Sequence, residues 1–321
     1  MSELVAASSA MREAVRLAER VAATDANVLV TGESGAGKDA LARHIHARSG
    51  RAARELVKID CASLPRDLIE AELFGFERGA FTGATQAKPG RLEAAHKGTL
   101  VLDEIAHLTT DAQAKLLRVI ERREFERLGG RRTVKVDARL LALTNVDLDE
   151  AVRRRAFRED LFYRLNVVRI HVPPLRERRE DVGLLAEQFL ALYAAKHGRR
   201  AASFERDASA VLAAYEWPGN VRELANVVER AVIVSEGPRV GAEALPESVR
   251  AAARAKSRAA GRPTLAELEA EYIRETLAAA GGNKSEAARL LGISRKNLYE
   301  RLRRDEKGGR ASDASRRPAD G

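Results

Sequence analysis

Hydrophobic and polar positions along this chain predict a parallel α/β domain first and helices afterwards. Apolar runs at 28–30, 56–59, 99–102 and 139–144 have the length of buried strands, and segments with helical spacing separate them. Strands that alternate with helices indicate a parallel sheet covered by helices. An amphipathic leading helix is expected within residues 2–27.

The pattern becomes helical after Val172-Pro173-Pro174. A turn at Trp217-Pro218-Gly219 divides this region, and Asn220 is predicted to cap the helix that follows. Residues 236–263, rich in Ala, Gly, Pro and Arg, are predicted to form a linker. The expected segments are an α/β subdomain (1–172), a helical subdomain (173–235), the linker (236–263), a three-helix domain (264–307) and a disordered tail (308–321).

The three-helix domain has the order of helices and glycine turns that is typical of a helix-turn-helix. A capped helix ends at Gly281-Gly282, a short helix follows, and Gly292-Ile293-Ser294 separates it from a basic helix over 295–304. A plain three-helix bundle is the alternative. The polar and aromatic candidates for contacts with DNA are Lys284, Ser294, Arg295, Lys296, Asn297, Tyr299 and Arg303.

Composition and charge narrow the class of protein. The 321 residues, 45% of them hydrophobic, leave room for two or three domains, and the single cysteine excludes a disulfide framework within the chain. No apolar run is long enough to cross a membrane, so a cytoplasmic protein is expected. The net charge of +9 concentrates near 250–262 and 283–307, which favours a polyanionic partner, usually nucleic acid, over an ordinary solvated surface. His44 and His46 lack a third ligand nearby in sequence, which argues against a metalloenzyme.

A glycine-rich stretch follows the first predicted strand and precedes a helix. Its spacing is that of a P-loop, in which backbone N–H groups and one lysine hold the phosphates of a nucleotide. The acid at its last position stands where Ser or Thr usually holds Mg²⁺. The residues predicted to bind the nucleotide here are Gly32, Glu33, Ser34, Gly35, Ala36, Gly37, Lys38 and Asp39.

Polar residues end two further strands at the same predicted edge of the sheet. Asp103 and Glu104 follow the run at 99–102, and we expect Asp103 to hold Mg²⁺ and Glu104 to polarise the attacking water. Asn145 follows the run at 139–144, where it would orient that water, sense the γ-phosphate or cap a turn.

Two features fit no element of the core. Residues 79–85 contain an isolated Phe81 among small residues and glycines, so Phe81 is either presented outward or tucked into its own domain. Arg158 and Arg164 lie six residues apart, beyond one helical face, and on local evidence alone each would be solvated or salt-bridged.

In this order, these motifs resemble the bacterial enhancer-binding proteins, the NtrC-type activators of sigma-54 RNA polymerase, over nearly the whole chain. The signature hexapeptide of that family matches letter for letter, an accident on the order of 10⁻⁵ per chain from composition. Its residues, which the resemblance assigns to the contact with sigma-54, are Gly79, Ala80, Phe81, Thr82, Gly83 and Ala84.

The resemblance implies an AAA+ ATPase that works as a ring, usually a hexamer, and uses ATP and Mg²⁺ to remodel the closed promoter complex. It assigns Arg158 and Arg164 as arginine fingers that act on the neighbouring subunit and Arg222 as sensor II. Asp103 and Glu104 become Walker B, and Asn145 falls in sensor I. The C-terminal domain resembles the Fis-type DNA-binding domain, expected to bind upstream DNA.

Several departures and alternatives accompany the resemblance. Phe76 replaces a usual His before the signature loop, and Asp60 replaces an Asn that often restrains the catalytic glutamate. No receiver or ligand-sensing domain precedes the ATPase, so we expect control by a separate partner protein, a constitutive form or a fragment. The alternative functions are a DNA-binding repressor and an AAA+ remodeller of another target.

Overall fold

The computed structural model describes residues 4–261, 265–299 and 301–302. Two compact units are present, one within residues 1–250 and one from residue 251 onwards. The elements up to residue 171 are α1 (Ser9–Ala22), β1 (Val28–Thr31), α2 (Lys38–Ala47), β2 (Leu56–Asp60), α3 (Arg66–Phe74), β3 (Gly75–Phe76), β4 (Lys88–Pro89), α4 (Arg91–Ala94), β5 (Thr99–Asp103), α5 (Thr110–Arg122), β6 (Glu124–Glu126), β7 (Thr133–Lys135), β8 (Arg139–Thr144), α6 (Leu148–Arg153), α7 (Glu159–Leu165) and β9 (Val168–His171). The later elements are α8 (Glu180–His197), β10 (Ser203–Phe204), α9 (Arg206–Ala214), α10 (Asn220–Val234), β11 (Arg239–Val240), α11 (Glu247–Gly261), α12 (Leu265–Ala279) and α13 (Lys284–Leu290).

The predicted parallel α/β sheet is confirmed, and its strand order is β2-β5-β8-β1-β9. All four neighbouring pairs are parallel. Strand β8 lies at the centre and is buried along its whole length, as expected for a strand covered on both faces. Because all strands run the same way, the polar ends of β1, β5 and β8 lie at one edge.

Alternate residues of the strands feed two hydrophobic clusters, one on each face of the sheet. Val28 and Val30 of β1 pack with Met11, Leu41 and Ile45 of α1 and α2. Leu29 faces the other way, into the cluster that α3, α5 and α7 complete. Such alternation is a direct consequence of strand geometry, and it fixes which helices cover which face.

Three parts of the α/β region differ from expectation. Helix α1 begins only at Ser9, where the hydroxyl of Ser8 accepts a hydrogen bond from the N–H of Met11, and it ends at Ala22. Strand β9 was missed, although it forms one edge of the sheet beside β1. The hairpin β6–β7 was also not predicted.

A helical lid follows the sheet within the first unit. Helices α8, α9 and α10 bury one cluster around Trp217, whose indole N–H donates to the carbonyl of Leu212. This cluster also includes Val240, Leu245 and Val249, so the lid continues past the predicted end at residue 235. The predicted linker at 236–263 therefore contains strand β11, which pairs with β10, and helix α11.

The second unit contains the predicted helix-turn-helix. Helix α12 packs against α13, and a third helical stretch covers 295–299 and 301–302. Ile273, Ala287, Ala288 and Leu298 form its buried core. None of the helices in the described parts of the chain is long and apolar enough to cross a bilayer.

Candidate nucleotide site and associated surfaces

The glycine-rich loop joins β1 to α2 at the edge where the strands end. Gly37 precedes the first helical residue in a left-handed conformation (φ +105°), and no side chain caps the helix. Lys38 is buried, and its ammonium donates to the carbonyls of Gly32 (2.9 Å) and Glu33 (3.2 Å). Backbone N–H groups at a helix start, with a lysine behind them, form a site for phosphate.

The lid is in direct contact with this loop. Gly35 has φ +74°, and a Cβ there would lie 2.6 Å from the carbonyl oxygen of Gly219, so only glycine allows the approach. The N–H of Val221 donates to the carbonyl of Gly35 (3.0 Å). Arg222, the predicted sensor II, donates to the hydroxyl of Ser34 (2.9 Å). The structure thus brings Arg222 to the predicted phosphate loop.

Glu33 connects the loop to the lid through two partners that the sequence analysis did not assign. Arg176 makes a two-pronged contact with its carboxylate (2.8 and 2.6 Å), and the amide of Asn220 donates to it (3.0 Å). These hydrogen bonds lower the pKa of Glu33 from 4.5 to about 2, and the one from Arg176 has the larger effect. The contribution of this contact to stability is therefore present above pH 4.5 and is lost as the pH falls towards 2.

The expectation that Asn220 caps α10 is wrong. Its side chain is fully buried, accepts from the N–H of Leu175 (2.8 Å) and donates to Glu33 and to the carbonyl of Ser34 (3.1 Å). The residue before α10 is Gly219, and no side chain caps the helix. Asn220 instead holds the lid to the loop.

Replacing Asn220 by Ala should lower the free energy of unfolding by about 1–3 kcal/mol, because the buried N–H of Leu175 loses its acceptor and Glu33 and Ser34 each lose a donor. Denaturant unfolding followed by the fluorescence of the single tryptophan measures the change. Asn226→Ala, an exposed change in the same helix, is the control and should cost less than about 0.5 kcal/mol. Equal stability of the two variants would contradict the assignment of Asn220.

The two predicted Walker B acids lie where β5 ends, beside the loop. Glu104 has a left-handed backbone (φ 51°, ψ 52°), which is strained for a residue with a side chain. Its carboxylate accepts from the N–H of Asn145 (3.1 Å) and lies 3.5 Å from the ammonium of Lys38. Asp103 lies 2.8 Å from the ammonium of Lys58, a residue of β2 that the sequence analysis did not assign. The side chain of Asn145 is exposed at the same edge.

Asp60 does not restrain Glu104 in this structure. Its carboxylate accepts from the N–H of Ala62 (3.0 Å), two residues further on, in a local turn. The contacts of the Glu104 carboxylate are with Lys38 and Asn145. The link expected of an Asn at position 60 is therefore replaced by contacts to the P-loop lysine and to the end of β8.

The residues at this edge fit Mg²⁺ and a nucleoside triphosphate. Mg²⁺ prefers carboxylate oxygens combined with phosphate oxygens and water, and Asp103 offers a carboxylate next to the phosphate loop. The loop offers backbone N–H groups and the ammonium of Lys38 to phosphate oxygens. These groups fit the ion and the nucleotide in the chemistry of their contacting atoms and in their position at one edge of the sheet.

The signature hexapeptide forms a compact loop between β3 and β4, which is exposed except at Ala80 and Ala84. The N–H of Gly79 donates to the carbonyl of Ala84 (2.8 Å), and that of Ala84 to the carbonyl of Phe81 (3.1 Å). Phe81 is 41% exposed, and its ring meets Phe76 edge-on with 4.9 Å between centroids. Phe81 is thus presented at the surface and supported by the residue that departs from the family pattern. Thr82 is exposed.

The two predicted arginine fingers lie at the two ends of α7, Arg158 just before its first residue and Arg164 in its last turn, and both are accessible. Arg158 precedes α7 and binds Asp160 through two nitrogens (3.1 and 2.7 Å). Its backbone N–H donates to the side chain of Gln113, which is buried and fixes this segment to α5. Arg164 lies 3.3 Å from Glu121 and is 61% exposed.

The described DNA-contact candidates lie on or beside α13 and the helical stretch at 295–299 and 301–302. Ser294 precedes the third helical stretch and accepts from the N–H of Asn297 (3.2 Å). Lys284 lies over the ring of Tyr299, 4.9 Å from its centroid. Arg295 and Lys296 are exposed. Arg303 lies outside the described residues.

Three family descriptions match successive parts of the chain. Residues 4–171 match the Sigma-54 interaction domain, residues 176–262 the AAA+ ATPase lid domain, and residues 264–304 the Fis family of bacterial regulatory proteins. The first match alone covers more than half of the chain.

Curated relatives and solved structures are similar along most of the chain. Regulatory protein AtoC of Escherichia coli is 46% identical over 303 residues, which cover 92% of this chain and 66% of AtoC. Transcriptional regulatory protein FlbD of Caulobacter vibrioides is 44% identical over 316 residues, covering 94% of this chain and 70% of FlbD. NtrX from Brucella abortus, crystallised in complex with ADP, has a TM-score of 0.72 and 37% identity and covers 94% of this chain and 69% of its own. The same protein in complex with ATP has a TM-score of 0.72 and 38% identity, again covering 94% of this chain and 69% of its own.

Proposed function

Because the chain belongs to the family of sigma-54 transcription regulators, with AAA+ and Fis-type domains, we propose that it hydrolyses ATP to remodel the sigma-54 RNA polymerase closed complex into the open complex. It would do so as a ring oligomer bound to upstream DNA. The observation that supports this most is the convergence of Lys38, Glu104 and Arg222 on one loop.

In the proposed reaction, each residue has a defined part. The loop and Lys38 bind the phosphates. Asp103 would hold Mg²⁺, which would supply charge neutralisation for phosphoryl transfer. Glu104 accepts a proton from the attacking water, and the N–H of Asn145 keeps its carboxylate at the end of β8. Arg222, which lies beside Ser34, contacts the phosphates and so links the bound nucleotide to the position of the lid.

Coupling to the polymerase is assigned to residues 79–84. The loop is short and mostly exposed. Its glycines have positive φ (Gly79 +83°, Gly83 +104°), which allows the tight turns that present the apolar side chain of Phe81 at the surface. The second unit offers basic side chains for phosphate and base contacts with DNA, including Arg295 and Lys296. A separate regulatory protein acting in trans is a further proposed partner.

Open-complex formation on a sigma-54 promoter tests the function. The purified chain, sigma-54 RNA polymerase and ATP are compared with the same mixture containing a non-hydrolysable analogue. We expect open complexes only with hydrolysable ATP. Open complexes with the analogue would overturn the requirement for hydrolysis. Measurable ATPase and DNA binding without open complexes would favour a remodeller of another target, or a missing activating partner.

Thr82→Ala should abolish open-complex formation and leave ATP hydrolysis and DNA binding largely intact. The reason is that Thr82 is exposed on the hexapeptide loop, while the nucleotide contacts come from other segments. Thr85→Ala, an exposed change three residues along the same loop, is the matched control and should activate normally. Loss of all three activities in Thr82→Ala would mean that the loop is misassigned.

A further inference from the structure

Lys58 lies between two acids at the edge of the nucleotide site. Its ammonium is 2.9 Å from a carboxylate oxygen of Asp39 and 2.8 Å from one of Asp103. The three side chains come from α2, β2 and β5. Lys58 thus joins the last residue of the P-loop stretch to the acid that ends β5.

This contact accounts for the one irregularity of the P-loop. A Ser or Thr at position 39 would be neutral, whereas Asp39 adds a negative charge beside a loop that binds phosphate. Glu104 already lies 3.5 Å from Lys38, so that lysine faces a carboxylate of its own. Lys58 supplies a second cation to a group of three acids, Asp39, Asp103 and Glu104.

Arg43 also binds Asp39, but from a different position. It lies one turn further along α2, contacts the other carboxylate oxygen (3.0 Å) and has a 55% exposed side chain. An exposed pair within one helix contributes little. Lys58 is less exposed, at 34%, and reaches both acids, so it is the cation that links Asp39 to Asp103.

Burial and ion pairing act in opposite directions on the pKa values of Lys58 and Asp39. Burial alone would lower the pKa of Lys58, but its hydrogen bonds to Asp103 and Asp39 raise it overall. Burial alone would likewise raise the pKa of Asp39, yet Lys58 and Arg43 lower it overall. The contact between Lys58 and Asp39 thus favours the charged form of both groups.

We propose that Lys58 is a positioning residue of the nucleotide site, where it compensates the charges of Asp39 and Asp103 beside the phosphate loop. The inference rests on the proposed function, because it requires that the loop binds ATP. It explains how an acid is accommodated at the position where P-loops usually carry a hydroxyl. The readout is the dependence of ATP affinity on Mg²⁺.

Lys58→Met should selectively weaken the binding of ATP that carries no Mg²⁺. With the ammonium gone, Asp39 and Asp103 repel the phosphates. In EDTA, the Kd of a fluorescent ATP analogue should rise by at least about tenfold, as expected for one unit charge lost within several ångströms at an effective dielectric constant near 20. With saturating Mg²⁺ the same Kd should rise by less than about threefold, because the metal ion takes over the compensation of the carboxylates.

Three further variants isolate the cause. Asp39→Ser combined with Lys58→Met should bring the Mg²⁺-free Kd back to within about threefold of the unmodified chain, because one charge of each sign is removed. Lys58→Arg should keep most of the affinity, since the charge remains. Lys135→Met removes the same charge from the exposed hairpin strand β7 and should leave both Kd values unchanged.

Each outcome decides between the alternatives. Equal weakening of Lys58→Met with and without Mg²⁺, or no weakening in either case, overturns the role of Lys58. Failure of the unmodified chain to bind ATP at all would instead overturn the proposed function. If Lys58→Met does not fold, Asp39→Ser alone serves as the test. It should tighten Mg²⁺-free binding severalfold, and unchanged binding would refute the proposal.

Discussion

Glu104→Ala should bind ATP and hydrolyse it about 10²–10⁴ times more slowly than the unmodified chain, the usual effect of losing a positioned general base. The carboxylate of Glu104 is fixed by the N–H of Asn145 and by the ammonium of Lys38. Its removal takes away the group assigned to the attacking water. It also releases Lys38 from an ion pair, so ATP should bind as tightly as before or more tightly.

Phosphate release and nucleotide affinity, measured on the same preparation, separate these effects. Glu104→Gln is a stricter version, because the amide still offers an oxygen to the N–H of Asn145 but cannot act as a base. Glu55→Ala, an exposed change at the amino end of β2, is the matched control. Near-normal turnover in both Glu104 variants would refute the assigned role, and loss of ATP binding would indicate a structural one.

The strands that carry the site could be predicted from the sequence because their apolar runs are short, buried and followed by polar residues. Four of the five strands of the sheet were found in this way. Strand β9 alternates Val168, Arg169, Ile170 and His171 at the edge of the sheet, and only Ile170 of the four is buried. Polar residues at every second position leave β9 without an apolar run, which explains why it was missed.

The contacts between the lid and the P-loop could not be predicted from local sequence patterns. Asn220 follows a turn and precedes a helix, which is typical of a cap, but its partners Leu175 and Glu33 are 45 and 187 residues away. Arg176 lies in a charged run that is typical of a solvated helix start, yet its partner is in the P-loop. Side chains that join distant segments leave no periodic signal in the sequence.

The sequence contained a weak indication that Lys58 belongs to a functional site. It is a charged residue within a predicted strand, flanked by Val57 and Ile59, and Asp39 was already noted as an irregular acid. Nothing in the spacing showed that the two residues meet, because their contact joins α2 to β2 and depends on how the fold places these two elements. A charged residue between apolar residues of a strand is therefore a signal that can point to a site.

Arg158→Ala should lower ATP hydrolysis by about 10³–10⁵, the effect of an arginine finger in other NTPases, while ATP binding is largely retained. Within its own subunit Arg158 binds Asp160, and its backbone is fixed by Gln113 on α5. A guanidinium that is 40% exposed and held on a rigid segment is suited to reach a neighbouring copy. Arg153→Ala, a change of an exposed arginine paired with Glu150, is the control and should hydrolyse normally.

Mixing two inactive variants tests whether the finger acts between subunits. Arg158→Ala retains Glu104 in its own site, and Glu104→Ala retains Arg158, so a ring containing both can place an intact arginine against an intact site. The mixture should hydrolyse ATP well above the sum of the two separate variants. A finger that acts within one subunit predicts no recovery, because no subunit then carries both groups.

Arg164→Ala, mixed with Glu104→Ala in the same way, tests the second predicted finger, since Arg164 is also exposed and is held near Glu121.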